Sequence, residues 1–154
     1  MRFPTPAAAV VAVVALAVEA RFEQIGVPKV IRPGEPFTAQ ARVLATAPST
    51  DTMYWGINGF DYAYPGSVAN RFQTTDLTEF ISGSYYSTIP GVVVPEGTAP
   101  GEYALQAAVM GWYHISGQPT LETWWWNVTI GDATSEELVW AGTESETSRT
   151  CVPT

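Results

Sequence analysis

The stretch "ETWWWNVTIGD", residues 122–132, sets three consecutive tryptophans directly before an Asn-Val-Thr triplet. Its aromatic and β-branched content, closed by Gly131, reads as a strand over 120–131. Side chains on a strand alternate between two faces. Trp124, Trp126, Val128 and Ile130 therefore form one set, and Thr123, Trp125, Asn127 and Thr129 the other. In an exported chain Asn127-Val128-Thr129 is an acceptor for N-glycosylation, and a glycan cannot enter a core. If the site is used, the Asn127 face is outward, Trp124 and Trp126 are core, and Trp125 is exposed.

The preceding stretch, "VPEGTAPGEYALQAAVMGWY", has the same alternation. A corner rich in Pro and Gly delivers Gly101 and Tyr103 to a long strand, on which Tyr103, Leu105, Ala107 and Val109 point inward. Gln106, Ala108, Met110 and Trp112 share the outer face. If the two strands pair, Met110, Trp112 and Trp125 form an exposed apolar strip, a candidate interaction surface. A tyrosine placed like Tyr103 fits the tyrosine corner of Greek-key sandwiches, whose hydroxyl bonds upstream backbone. A ring that merely packs is the equal alternative.

Further outward, Gly and Pro recur every several residues, and the runs between them are rich in Val, Ile, Thr, Tyr, Phe and Trp. A first strand fits 22–31, followed by a turn at Pro33-Gly34. A second, "PFTAQARVLA", alternates Phe37, Ala39, Ala41 and Val43 against Thr38, Gln40 and Arg42. Residues 52–58 place Met53, Trp55 and Ile57 on one face, with Trp55 as a core tryptophan. Residues 59–83 read as an edge strand and loops. Strand character returns at 84–94, where Pro90-Gly91 marks a bend or bulge. These spacings predict an all-β fold, an immunoglobulin-like antiparallel β-sandwich of about seven strands.

The chain opens "MRFPTPAAAVVAVVALAVEA", with a basic start, an apolar run from Ala7 to Val18 and a small-residue exit. Residues 1–20 are expected to be a signal peptide cut after Ala20. The run is far short of the ~20 residues of a spanning helix, so no membrane insertion is expected after its removal. The domain is expected over 21–131. Residues 132–154, rich in Ser, Thr and acids, are expected to be a disordered tail. Cys151 is the single cysteine, so no disulfide can close within the chain. The net charge of −8 argues against nucleic acid and anionic membranes, which call for basic patches.

Catalytic chemistry has little support. His114 is the single histidine, which rules out a His-based metal cluster, and it reads as a loop residue. His114 with Ser116 and an acid lacks a nucleophile-elbow pattern. Pairs such as Glu102 with Glu122, or Asp76 with Glu79, would need to sit ~5–10 Å apart in a cleft to cleave glycosides. Solvated surface is the better expectation; no catalytic residue, metal or cofactor is assigned. Six tryptophans, seven tyrosines and six phenylalanines exceed the needs of one small core. Tyr62, Tyr64, Tyr85 and Tyr86 are expected at the surface, where aromatics recognise proteins or stack on sugar rings.

In Val27-Pro28-Lys29, Arg32-Pro33-Gly34-Glu35, the run from Ile89-Pro90 to Gly97-Thr98-Ala99, and Asn127-Val128-Thr129-Ile130-Gly131, the chain resembles a known family. It is similar to the necrosis-inducing secreted effectors (Nis) of filamentous fungi, over roughly residues 21–131. The resemblance implies a secreted, non-catalytic effector acting in the host apoplast or cytoplasm. It implies suppression of pattern-triggered immunity through plant receptor-like kinases or receptor-like cytoplasmic kinases, with host cell death in some cases. A carbohydrate-binding module using exposed aromatics is the alternative.

Overall fold

In the computed structural model the described residues are 22–43, 52–64, 66–78, 80, 85–112, 119–142 and 148–151. The leader expected at 1–20 lies outside them, as do Glu79, His114 and Ser116. Among the described residues there are ten strands and a single 3₁₀ turn, Phe60–Tyr62. The strands are β1 (Phe22–Pro28), β2 (Val30–Ile31), β3 (Pro36–Val43), β4 (Thr52–Gly59) and β5 (Arg71–Asp76). They continue with β6 (Tyr86–Val93), β7 (Gly101–Trp112), β8 (Pro119–Ile130), β9 (Leu138–Gly142) and β10 (Ser148–Cys151).

Two sheets pack face to face. One is four-stranded in the order β6-β3-β1-β9; the other is six-stranded, β10-β8-β7-β4-β5 with β2 added beside β8. All pairings are antiparallel except β2 with β8. The all-β sandwich expected from alternation is therefore the fold. β7 and β8 pair along their whole length, from Gly101 opposite Ile130 to Trp112 opposite Pro119.

Two expectations are corrected. The single strand expected over 22–31 breaks at Lys29, where the chain leaves one sheet for the other. The Lys29 N–H donates to the carbonyl of Glu137, beside β9, while its own carbonyl accepts from Thr129 of β8. Pro28 stands directly before this switch, with its φ fixed by the ring and no N–H to extend the ladder. The tail expected over 132–154 also contains strand where it is described. Leu138–Gly142 pair with β1, and Ala141 is buried in the core. The alternation of Val139 and Ala141 within a short polar stretch was too weak to outweigh its Ser, Thr and Glu content.

The remaining patterns behave as alternation requires. On β3, Phe37, Ala39, Ala41 and Val43 are buried while Thr38 and Gln40 are exposed. Opposite them β6 carries one extra residue between Val92 and Ile89, with Gly91 at φ 74°. Pro90-Gly91 is thus a bulge, the place where a missing N–H and a left-handed glycine do least harm.

The core is a chain of rings. Trp55 stacks on Trp126 at 5.9 Å, and Trp126 on Trp124 at 6.5 Å. Phe37 and Phe22 close the two ends edge-on, each 6.3 Å from its neighbour. The Trp126 indole also donates to the carbonyl of Ile25 at 2.8 Å, tying β8 to the opposite sheet. Trp55 donates to the Thr75 hydroxyl at 3.2 Å. All three tryptophans assigned to the core, Trp55, Trp124 and Trp126, are buried there. Tyr103 packs against the same cluster, half-buried, and its hydroxyl makes no hydrogen bond among the described residues.

Candidate functional site

The register places Met110 opposite Leu121 and Trp125 opposite Gln106, so the outer face of β7 and β8 is the one expected. It is not one continuous strip. Met110 lies four residues along β7 from Gln106, about 13 Å at the rise of a strand. Between them Gln106, Ala108 and Thr123 are buried although they point away from the core. Met110 and Leu121 are exposed; Trp125 is half-buried, and the side chain of Trp112 lies outside the described residues.

Part of this face is covered by the segment following β4. Residues 60–64 and 66–70 fold back as a strap across the six-stranded sheet. The Gln106 amide holds the strap from both sides, donating to the Tyr64 carbonyl at 3.1 Å and accepting from the Ala69 N–H at 3.4 Å. A buried glutamine here replaces the strand partner that strap backbone would otherwise need. Gly56 lies directly beneath; a Cβ there would stand 2.4 Å from the Ala69 carbonyl oxygen and 2.7 Å from Val68. Phe60, at the start of the strap, meets Trp125 edge-on at 6.1 Å. Tyr62 and Tyr64 project into solvent, 71% and 72% exposed.

The four-stranded sheet has no such cover among the described residues. Its outer face carries Trp140, Arg42 and Tyr86 in a row. The Arg42 guanidinium sits 5.1 Å from the Trp140 ring centre and 6.0 Å from that of Tyr86. Gln24 accepts from Arg42 at 2.7 Å and fixes its direction. Trp140 lies flat over Gly26, where a Cβ would come within 2.9 Å of the indole. Tyr85 packs edge-on against Tyr86, and its hydroxyl donates to the Glu23 carboxylate. That hydrogen bond, assisted by desolvation and the negative charge of Glu23, holds the Tyr85 phenol above its ordinary pKa. Beside Tyr86 a concavity of about 460 Å³ is lined by Gln40, Ser87, Thr88 and Phe80. Tyr85 and Tyr86 were expected at the surface; Trp140, read as tail, was missed. The signal for it was Gly26, since a glycine inside a strand marks close approach by another group.

Glu102 and Glu122 do not form a dyad. Glu102 is on the outer set of β7 opposite Thr129, whereas Glu122 is buried on the inner set of β8 opposite Val109. Seven residues of strand, roughly 23 Å, and the thickness of the sheet separate them. The Asp76 carboxyl is held below its usual pKa by the Thr78 side chain and backbone N–H, a turn-closing arrangement. Among the described residues no group of three or more His, Cys, Asp or Glu could hold a metal ion.

The fold and its faces define a β-sandwich that presents Trp, Tyr and Arg together on an open sheet. The chain belongs to the Nis1 family, whose model matches residues 18–129. A relative from Colletotrichum higginsianum, named necrosis-inducing secreted protein 1, is 31% identical over 90% of this chain and 97% of its own length. The protein of the same name from Colletotrichum orbiculare is 28% identical over 90% of this chain and 86% of its own. Among solved structures, the PmoD soluble domain from a Methylocystis species overlaps 71% of this chain and 90% of its own. That overlap has a TM-score of 0.38 and 9% identity, too low to bear on the fold.

Proposed function

We propose that this protein is a secreted fungal effector that binds plant receptor-like kinases or receptor-like cytoplasmic kinases, dampens pattern-triggered immunity and provokes host necrosis. Membership of the Nis1 family, with relatives named as necrosis-inducing secreted proteins, supports secretion and necrosis. A leader ending at Ala20 would supply the export. Kinase binding rests on the family resemblance, and catalysis has no part in this reading.

The observation that carries a binding role is the Trp140–Arg42–Tyr86 row. Trp, Tyr and Arg are the residues most enriched where truncation costs binding energy. Here they lie on an uncovered sheet face, with Trp140 41% and Tyr86 67% exposed. The expected surface at Met110 and Trp125 is divided by the strap, so the partner face is assigned to the four-stranded sheet.

The test is binding of the mature protein to purified plant kinase domains, with melting temperature followed in parallel. Combined Trp140→Ala, Arg42→Ala and Tyr86→Ala substitutions are expected to weaken binding at least ~30-fold, as loss of a ~2 kcal/mol hot spot would. Met110→Ala is expected to leave it within about threefold. Unchanged affinity in the folded triple variant would remove this face from the reading. The same aromatics could stack on pyranose rings. A parent protein that binds insoluble wall polysaccharide and no kinase, and loses that binding in the triple variant, would establish the carbohydrate-binding alternative.

A further inference from the structure

We infer that Asn127 carries an N-linked glycan whose first sugar packs against Trp125, so that this tryptophan serves the protein's own glycan rather than a partner. The acceptor triplet Asn127-Val128-Thr129 lies on β8 with Asn127 exposed and pointing outward. Residues two apart on a strand share a face and stand about 7 Å apart. Trp125 is therefore the outward neighbour of Asn127 on its own strand, and Phe60 packs edge-on against the indole.

The local hydrogen bonds orient the amide for this use. The Trp125 indole N–H donates to Asn127 Oδ1 at 2.9 Å. With the oxygen turned toward the indole, Nδ2, the atom that takes the sugar, is turned away from it. Among the described residues Nδ2 makes no hydrogen bond of its own. The Thr129 hydroxyl donates to the Glu102 carboxylate at 2.8 Å, so the third residue of the triplet is also held on this face. Glu102 and Phe60, the partners of Thr129 and Trp125, both line a concavity of about 410 Å³ with Asp61, Tyr62 and Tyr103. Polar walls and aromatic edges at that size suit the second sugar of a chitobiose stem.

Substitution on Asn127 is a glycosyl transfer. The amide nitrogen displaces the lipid pyrophosphate from C1 of N-acetylglucosamine in a lipid-linked oligosaccharide, the donor of the eukaryotic secretory route. The N–C1 bond forms, the C1–O bond to phosphate breaks, and the amide releases one proton while the pyrophosphate departs. β8 is fully paired with β7 in the folded state. Transfer therefore belongs to the unfolded chain during export. On folding, the ring C–H groups of the sugar meet the indole face, the same contact that makes aromatics good sugar platforms.

The experiment expresses the full chain with its own leader in a yeast secretory host. Wild-type, Asn127→Gln, Trp125→Ala and Trp125→Phe proteins are compared by intact mass and by thermal melting. Each is measured with the glycan trimmed to one N-acetylglucosamine and as unmodified protein made in bacteria. The secreted wild type is expected to carry a glycan that Asn127→Gln lacks. Its one-sugar form is expected to melt about 2–6 °C above the unmodified protein, the shift of roughly one kcal/mol in a domain of this size. Trp125→Phe should keep most of that gain and Trp125→Ala should lose more than half. A secreted wild type with bare Asn127 overturns the inference, and so does an equal gain in all three backgrounds.

Discussion

The two outer faces of the sandwich began as similar patterns and ended differently. On the six-stranded sheet, alternation sends Gln106, Ala108 and Thr123 outward, yet all three are buried, and the strap after β4 is bonded directly to Gln106. On the four-stranded sheet, Tyr86 and Trp140 point outward and remain exposed, with Arg42 half-buried between them. Alternation thus assigns a side chain to a face; whether that face meets water depends on where the loops go. The open face is free for a partner, whereas the covered one is partly satisfied by its own chain.

The largest test of this contrast is removal of residues 132–154. β9 pairs with β1 along five residue pairs, and Ala141 fills the core between them. At about 1 kcal/mol per ladder bond the loss is on the order of 5 kcal/mol, comparable to the whole stability of many domains. Chemical denaturation should show the truncated protein largely unfolded. Nearly unchanged stability would mean that the four-stranded face is not built as described and that Trp140 has no scaffold.

Next in size is the pair of adjacent tryptophans. Trp126→Ala removes a stacked core ring and the bond to Ile25, and should cost about 3–5 kcal/mol. Trp125→Ala, in unglycosylated protein, should cost only about 2 kcal/mol, the sum of an edge-on aromatic contact and one hydrogen bond. Denaturant midpoints at constant slope would measure both. Equal losses would contradict the register of β8.

Most of the β7–β8 hairpin was legible because strict alternation over long runs leaves one placement of the rings. The bulge at Pro90-Gly91 was legible for the same kind of reason: few backbone conformations suit that dipeptide. What escaped reading depends on contacts distant in sequence. The strap is held by Gln106, some 37 residues from Ala69, and no local pattern announces that bond. β9 is five residues long and set among Ser, Thr and Glu, so its composition signalled solvent while its position beside β1 decided otherwise. Of the candidate surface, Tyr86 was foreseen and Arg42 was seen only as a polar strand position.

A finer test acts on the strap alone. Gly56→Ala would press a methyl group against the Ala69 carbonyl and Val68. The strap must shift, at an expected cost of about 1–3 kcal/mol, the usual range for overpacking. Hydrogen exchange should rise at Ala69 and at the β7 amides beneath it, while the four-stranded sheet keeps its protection. An unaltered exchange pattern would show that the strap is looser than the Gln106 bonds imply, and the two faces would then differ less than they do here.

The crossover at Lys29 has a consequence for how the molecule is made. Its ammonium group also pairs with Glu137 at 3.0 Å, a partner 108 residues later in the sequence, and the backbone of Val30 is bonded by Ser135. β1 thus has its second ladder completed only by residues more than a hundred positions further along the sequence. Such long-range closures slow folding. The outer edge of the four-stranded sheet therefore closes only once residues 135–142 are in place, so the face that carries Trp140 is the last part of the sandwich to form.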